Sequence, residues 1–436
     1  MSENPQISIV TLGCSKNIVD SEYLGKQLQL NGFKVIHEAD SSPEVVIINT
    51  CGFIVDAKQE SIDTILDYIE AKKQGKIDRL FVMGCLSQRY KKELQQEIKE
   101  VDDFFGVEQQ SEILQSLKSQ FKEDKSHERL LYTSKPSAYL KIAEGCNRKC
   151  SFCSIPLIRG DYKSKTIEQL KSESTYLENE GVRELNLIAQ DLSFYGYDLY
   201  KKYALPELLE QLASEYSFDW LRLLYFYPHN FPAEVLDVIN AHENICNYLD
   251  IPFQHINDKM LKYMHRGIDK DNTYRLIELI KSKIPNITLR TTLLVGHPGE
   301  EQNEFNELLE FVKEIEFDRL GVFTYSEEEG TFSAQNFKDD IPDHIKQERS
   351  DEIMKTQQQI SLRKNESKVG KTFNILIERE DKAHYFGRSE ADAPEVDNEI
   401  IIPKNGSNID LGTFQKIEII SANDYDLIGK INYQTE

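Results

Sequence analysis

At 436 residues the chain exceeds what one hydrophobic core usually serves, so two or three domains are expected. Its apolar content of 39% suits a globular protein, no run approaches the roughly 20 apolar residues of a membrane span, and "MSENPQISIV" lacks the basic start and apolar stretch of a secretory signal; together these predict a cytoplasmic protein without a membrane partner. The 52 Lys+Arg against 74 Asp+Glu give a formal charge of −22, which repels nucleic-acid phosphates over most of the surface, argues against a general RNA binder and favours basic partners.

The first 107 residues alternate between two patterns. "QISIVTLGC" is an apolar strand followed by the helix-like "DSEYLGKQLQLNG"; "VVIINTCGF" leads into "AKQESIDTILDYIEAKK", "RLFVMGC" into "YKKELQQEIKE", and "FFGV" closes the series. Strands alternating with helices over short connections predict a parallel sheet covered on both faces, an N-terminal α/β domain over residues 1–125. Cys14, Cys51 and Cys85 each stand at the carboxyl end of a different predicted strand. In an open parallel sheet those ends share the rim where ligands bind, so three cysteines remote in sequence are expected to converge.

Residues 108–137 turn polar, with "KEDKSHER" at their centre, and predict a helix followed by a linker. From there six more strands are expected: "AYLKIAEG", "ELNLIAQD", "LRLLYFYP", "YLDIPFQH", "ITLRTTLLVGHP" and "LGVFTYSE", with helical patterns between them. Six such units predict a partial (βα)6 barrel over residues 136–365, with "HIKQERSDEIMKTQQQISLRKNESKVG" as a long polar helix leading out of it. Over residues 367–436, "KTFNILIER", "HYFGRSEA", "EIIIP", "GTFQKIEIIS" and "YDLIGKI" are short strands broken by turn residues, which predicts a small antiparallel β-barrel.

The stretch "EGCNRKCSFCSIP" places Cys146, Cys150 and Cys153 with three and then two residues between them. Seven cysteines in a reducing compartment are poor disulfide candidates, and metal or redox chemistry becomes the better reading. A structural zinc site takes four protein ligands, whereas three thiolates on a cuboidal iron–sulfur cluster leave one iron open to a ligand from outside the protein. A zinc knuckle completed by a remote His, or buried thiols acting as small hydrophobes, are the competing readings. Arg148 and Lys149 inside the loop would help hold the thiolates deprotonated, and Cys246 in "NICNYLD" has no partner spacing and reads as an ordinary buried thiol. Gln190 and Asp191 end the second barrel strand, and Gln254 and His255 the fourth, where they face a ligand or cap a neighbouring turn. "LLVGHPGEE" sets Gly296, Pro298 and Gly299 after the fifth strand, as a turn or a close backbone approach, and "SEEEG" at 326–330 reads as a solvated loop, with contact to a basic substrate as the alternative because it follows the sixth strand on the same rim.

The Cys-x-x-x-Cys-x-x-Cys loop, with Phe152 before its last cysteine and the first strand of a partial barrel ahead of it, resembles the radical S-adenosylmethionine (SAM) enzymes. The resemblance implies that Cys146, Cys150 and Cys153 are the catalytic ligands of a 4Fe-4S cluster whose open iron is chelated by SAM, and that its reduction releases a 5′-deoxyadenosyl radical which removes a hydrogen from an unactivated carbon. "TLGCSKNIVDSE", "NTCGF" and "MGCLSQRY" resemble the methylthiotransferase subgroup, in which Cys14, Cys51 and Cys85 would hold an auxiliary 4Fe-4S cluster, the second of two, with an open iron for the sulfur to be delivered. Phe152, Gly296 and Pro298 by this resemblance, and Gln190 and Gln254 by their place on the rim, are expected to bind SAM. The family usually has Phe where His297 stands, which leaves that residue's role open.

"TLGCSKNIVDSE", "IPFQH" and "DAPEVDNEI" further resemble the type that modifies an aspartate of the small-subunit ribosomal protein at the decoding centre. The implied reaction replaces a hydrogen on the aspartate β-carbon with a methylthio group, consumes two SAM molecules and draws on an electron donor such as flavodoxin or ferredoxin. The last domain resembles the TRAM fold, commonly an RNA binder, yet it carries 8 Lys+Arg against 13 Asp+Glu. That balance fits a basic ribosomal protein better than tRNA, whose phosphates call for a basic stripe. The alternatives are the tRNA adenosine methylthiotransferase of the same subgroup and a non-catalytic zinc-binding ribosome adaptor.

Overall fold

The computed structural model describes residues 5–37, 43–132 and 136–431, so residues 133–135 of the expected linker and 432–436 of the expected last domain lie outside the described residues. Five strands form the first sheet: β1 (Gln6–Thr11), β2 (Lys34–His37), β3 (Val45–Thr50), β4 (Arg79–Gly84) and β5 (Asp103–Phe104). Their order is β2-β1-β3-β4-β5, all parallel, with helices α1 (Ser15–Leu30), α2 (Val55–Lys73), α3 (Cys85–Glu97) and α4 (Gln110–Ser116) between and after them. Every residue of β3 is buried, which is why the strand reads as one continuous apolar run rather than an alternating one. β2 was not expected from the sequence: it is a four-residue, half-exposed edge strand whose apolar signal is correspondingly weak.

β1, β3 and β4 lie side by side, and a cysteine follows each: Cys14 caps α1, Cys51 comes directly after β3 and Cys85 opens α3. The chain can turn from β4 into α3 so abruptly because Gly84 adopts φ +101, and a Cβ there would lie 2.4 Å from Asn49 Oδ1 and 2.6 Å from the Thr50 carbonyl oxygen. Gly84→Ala should therefore destabilise this domain by roughly 1–3 kcal/mol, the usual cost of a strained backbone, and displace Cys85. A chemical denaturation series monitored on the N-terminal sheet checks the first effect.

All six strands expected in the second region are present: β6 (Ser137–Lys141), then, beyond the short antiparallel pair β7 (Ala143–Glu144) and β8 (Lys163–Ser164), β9 (Glu184–Ile188), β10 (Trp220–Leu223), β11 (Ile245–Asp250), β12 (Thr288–Val295) and β13 (Arg319–Thr324). They run parallel in strictly sequential order and the sheet stays open. The polar helix Asp343–Glu366 leads out toward the last region, as expected, but is packed on this domain along its way. It lies along β13 and the helix Gln302–Ile315, burying Ile353 and Ile360 and donating from Gln357 Nε2 to the Phe317 carbonyl at 2.8 Å. β13 is the sheet edge, and covering it removes an exposed pairing surface.

The last region closes as a five-stranded barrel of β14 (Thr372–Glu380), β15 (His384–Arg388), β16 (Ile400–Pro403), β17 (Phe414–Ala422) and β18 (Leu427–Ile431). Its seams are antiparallel except for the parallel contact of β16 with β18. The barrel packs against the open six-stranded sheet: Leu376 and Ala393, together with Val19 of α1, share a core with Tyr139, Ile188, Trp220 and Tyr248. A buried polar layer joins the same surfaces. Glu184 receives Arg222 Nε at 2.9 Å and also the Arg388 guanidinium, Arg319 pairs with Asp392, and Arg290 pairs with Asp397. Part of the terminal domain's acidic charge, including the two aspartates of "DAPEVDNEI", is thus satisfied inside the molecule. Among the described residues no helix is long and apolar enough to cross a membrane.

Candidate functional site

Cys146, Cys150 and Cys153 lie on the loop between β7 and the short helix α5 (Ile155–Arg159). Two backbone hydrogen bonds shape it, Cys146 N to the Gly160 carbonyl at 3.1 Å and Cys153 N to the Cys150 carbonyl at 3.1 Å. The three thiols lie within electrostatic range of one another. Burial pushes the Cys146 thiol up to about 12 and raises Cys153 as well, so a charged form at either needs a cation or a metal beside it.

The loop's own Arg148 supplies part of that charge, opposing the Cys146 shift without touching the sulfur through its guanidinium. The Arg148 guanidinium turns to Asp191, 2.7 Å away, and lies over the Tyr227 ring, while Lys149 is exposed; only the Arg148 backbone N–H faces a thiol, 3.4 Å from Cys146 Sγ. The guanidinium at the thiols belongs to Arg266, whose Nη1 is 3.2 Å from Cys150 Sγ and whose plane also covers Tyr227. Cys150 Sγ has the Tyr227 hydroxyl 3.6 Å away.

The second triad converges as the topology requires. Cys85 lies within electrostatic range of both Cys14 and Cys51; Cys14 is exposed and the other two are buried. Burial pushes the Cys85 thiol up to about 11 and raises Cys51, and Arg159 opposes both shifts. Loop closure is tight here, since a Cβ on Gly13, at φ +90, would stand 2.7 Å from Cys51 Cβ. Cys246 sits in the core under the sheet, with burial pushing its thiol up to about 12, as expected of an isolated cysteine.

One cavity of about 310 Å³ lies between the two thiol loops. Phe53 and Ile54, just after Cys51, line it from the first domain, and Phe152, Gln254, Thr292 and Tyr325 line it from the second. Gln254 holds φ +71 there, a conformation unusual for a side chain of its size and typical of positions constrained by a site. Gln190, Gly296 and Pro298 are not among the lining residues. Gln190 donates to Glu144 Oε1 at 2.6 Å, and its own Oε1 is buried without a hydrogen-bond partner. Gly296 has φ +75, but the space its missing Cβ leaves is taken by the side chain of Lys346, so close backbone approach serves packing at that position.

His297 is fully buried and satisfied: Nδ1 faces the Pro298 carbonyl at 3.0 Å and Nε2 the Ser333 hydroxyl at 2.9 Å. Burial holds its imidazole down at about 4, and with Ser151 3.5 Å away it ties the loop after β12 to the thiol loop as a neutral group. His255 is likewise buried, accepting from the backbone of Ile256 and Asn257 at Nδ1 while Nε2 faces Glu300 at 3.4 Å.

Residues 6–106 match the uncharacterized protein family UPF0004, residues 140–312 the radical SAM superfamily and residues 369–431 the TRAM domain. A protein of Phocaeicola vulgatus named ribosomal protein uS12 methylthiotransferase RimO is 49% identical over 426 residues, 98% of this chain and 99% of its own. The protein of the same name from Christiangramia forsetii is 49% identical over 432 residues, 99% of this chain and 95% of its own. The chain belongs to the RimO family. Among solved structures, the radical SAM methyltransferase TsrM from Kitasatospora setae superposes with a TM-score of 0.56 at 14% identity over 76% of this chain and 77% of that one. The cobalamin-dependent SAM radical enzyme OxsB does so with 0.51 at 12% identity over 81% and 56%. At such identities these two likenesses concern the fold.

In this RimO-family chain three thiols on one loop and three at neighbouring strand ends offer the donor chemistry of a cuboidal iron–sulfur cluster, which takes each thiolate on a different iron. Each triad also has a buried guanidinium donating to a thiol, which suits an anionic centre.

Three functional residues escape sequence reasoning. Arg266 lies more than a hundred positions from the thiol it contacts, and Arg159 reaches a cysteine of the other domain. Glu328 belongs to the "SEEEG" stretch expected to be solvated, yet it is 3% exposed and receives Lys58 Nζ at 2.9 Å and Arg89 Nη1 at 2.6 Å. It pins the loop after β13 onto α2 and α3, beside the cavity it helps to line. Glu327 and Glu329 on either side of it are exposed as expected, and only the meeting of two domains makes Glu328 internal.

Proposed function

We propose that the chain replaces a hydrogen on the β-carbon of an aspartate of ribosomal protein uS12 with a methylthio group. The observation that carries the reading is a cavity lined by Phe53 beside Cys51 and by Phe152 beside Cys153, since one thiol loop can serve hydrogen abstraction and the other sulfur delivery at the same carbon. Family membership at 49% identity along nearly the whole chain supports the ribosomal-protein substrate over tRNA and over a zinc-bound adaptor. When bound, a 4Fe-4S cluster at Cys146, Cys150 and Cys153 would supply the electron that cleaves SAM, and one at Cys14, Cys51 and Cys85 would present the sulfur.

The chain's own residues prepare the space. Arg266 and Arg159 offset negative charge on the two triads, and Phe53, Phe152, Leu294 and Phe323 line the cavity with apolar side chains, of which Phe53 and Phe323 remain partly open to solvent. Glu328 with Lys58 and Arg89 holds the two walls together. The strained Gln254 presents its side chain at the cavity, a position suited to orienting a polar ligand. The formal charge of −22 favours encounter with a basic protein and a low-potential electron carrier would complete the system. The experiment is mass spectrometry of purified uS12 and of tRNA after anaerobic incubation with enzyme, SAM and reductant. A methylthio group on a uS12 aspartate is expected, and modification confined to tRNA would overturn the assignment.

A further inference from the structure

Arg159 ends α5, which follows the Cys146–Cys153 loop, yet its guanidinium lies in the other triad. Nη2 donates to Cys85 Sγ at 3.1 Å and to Asn17 Oδ1 at 2.6 Å; Nη1 donates to Asp20 Oδ2 at 2.9 Å and to Glu144 Oε2 at 3.0 Å. The side chain is 2% exposed, so its charge is little screened by water. It lies within electrostatic range of Cys14, Cys51 and Cys85 alike.

The surroundings fix both its position and the charge balance. Asp20 and Glu144 are shared with Lys141, which is 2.7 Å from Glu144 and also paired with Asp20, so two cations face two carboxylates before the thiols are counted. Negative charge placed on the thiols is therefore in excess, and the Arg159 N–H aimed at Cys85 is where the protein meets it. Hydrogen bonds from a cation to a ligating sulfur withdraw charge from an iron–sulfur centre and make it easier to reduce.

We infer that Arg159 is a positioning residue for the N-terminal centre, supplied in trans by the radical domain, which anchors Cys85 and raises the reduction potential of the iron–sulfur cluster held by Cys14, Cys51 and Cys85. The inference rests on the reading that this triad binds such a cluster. It also gives the two sites a shared frame, because α5 is continuous with the loop of the first triad while its last side chain closes the second.

The test uses full-length Cys150→Ala protein, in which the N-terminal centre stands alone, and compares it with the same protein carrying Arg159→Lys or Arg159→Met. Each is reconstituted anaerobically with iron and sulfide, titrated with dithionite under electron paramagnetic resonance, and assayed for iron and for melting temperature. The expected result is a midpoint potential shifted negative in Arg159→Met and partly restored in Arg159→Lys. Iron loss at an unchanged melting temperature, in Met alone or in both, is the anchoring role seen directly. A fully loaded Arg159→Met protein with the parent midpoint would overturn the inference, as would iron loss accompanied by a lowered melting temperature in both variants, which marks a residue of the domain interface alone. A parent Cys150→Ala protein without iron or labile sulfide would instead sink the cluster reading itself.

Discussion

Cys150→Ala should reduce SAM cleavage to the level of an enzyme-free control while leaving about four of the roughly eight irons expected for two four-iron clusters. Cys150 is one of three thiols on its loop and receives the Arg266 guanidinium, with the Tyr227 hydroxyl 3.6 Å away, so its loss would remove one of the three proposed cluster ligands. Nothing in the second triad depends on that sulfur, because Cys51 and Cys85 are positioned by β3, β4 and α3. Cys51→Ala should give the mirror image: SAM cleavage continues, methylthio transfer to uS12 stops, and 5′-deoxyadenosine accumulates without product. Quantifying deoxyadenosine, modified protein and iron in parallel separates the two sites. If both variants lose both activities and all iron, the triads are not independent centres.

The second large effect concerns stability. Glu184 is fully buried between Arg222 and Arg388, the first from the neighbouring strand and the second from the terminal barrel. Glu184→Ala leaves two buried guanidinium groups without their shared carboxylate, and losses of roughly 3–5 kcal/mol accompany the breaking of such a buried pair. The terminal barrel should loosen first, seen as a lower melting temperature and as faster proteolysis near residues 366–372. Burial alone would raise the Glu184 carboxyl, but Arg388 and then Arg222 outweigh it and hold it at about 2 against an ordinary value of 4.5. The stability it contributes is therefore present above 4.5 and is lost as pH falls toward 2. Glu184→Gln should flatten that acid limb, and an unchanged acid limb would show that the carboxylate's charge matters little.

Most of the architecture was legible because hydrophobic period and turn residues are local properties. The six strands of the second sheet and the five of the terminal barrel overlap the apolar runs that predicted them, but β11 runs Ile245–Asp250 rather than 248–255, so Gln254 and His255 lie beyond the strand expected to end in them. β2 escaped because an edge strand of four residues buries too little to leave a pattern. The helix Asp343–Glu366 was read correctly as a helix leading to the last domain, but its packing was not legible, since its polar composition hides the fact that Lys346, Arg349 and Gln357 are buried by partners from other elements. Likewise the acidic "SEEEG" and "DAPEVDNEI" stretches carry no local mark that their carboxylates face arginines and lysines of another domain.

The residues alone determined which atoms are the candidates for chemistry: six thiols in two sets of three, with thiol spacing on one loop and strand ends for the other, are covalent facts of the chain. Tertiary structure decided which charges meet them. Arg266 joins Arg148 at the first set and alone donates its guanidinium to a thiol there, and Arg159 crosses from one domain to reach the second. The physical reason is range: backbone pattern is set within a few residues, whereas a buried guanidinium is placed wherever folding leaves negative charge without water, and that place is known only once the domains have closed on each other.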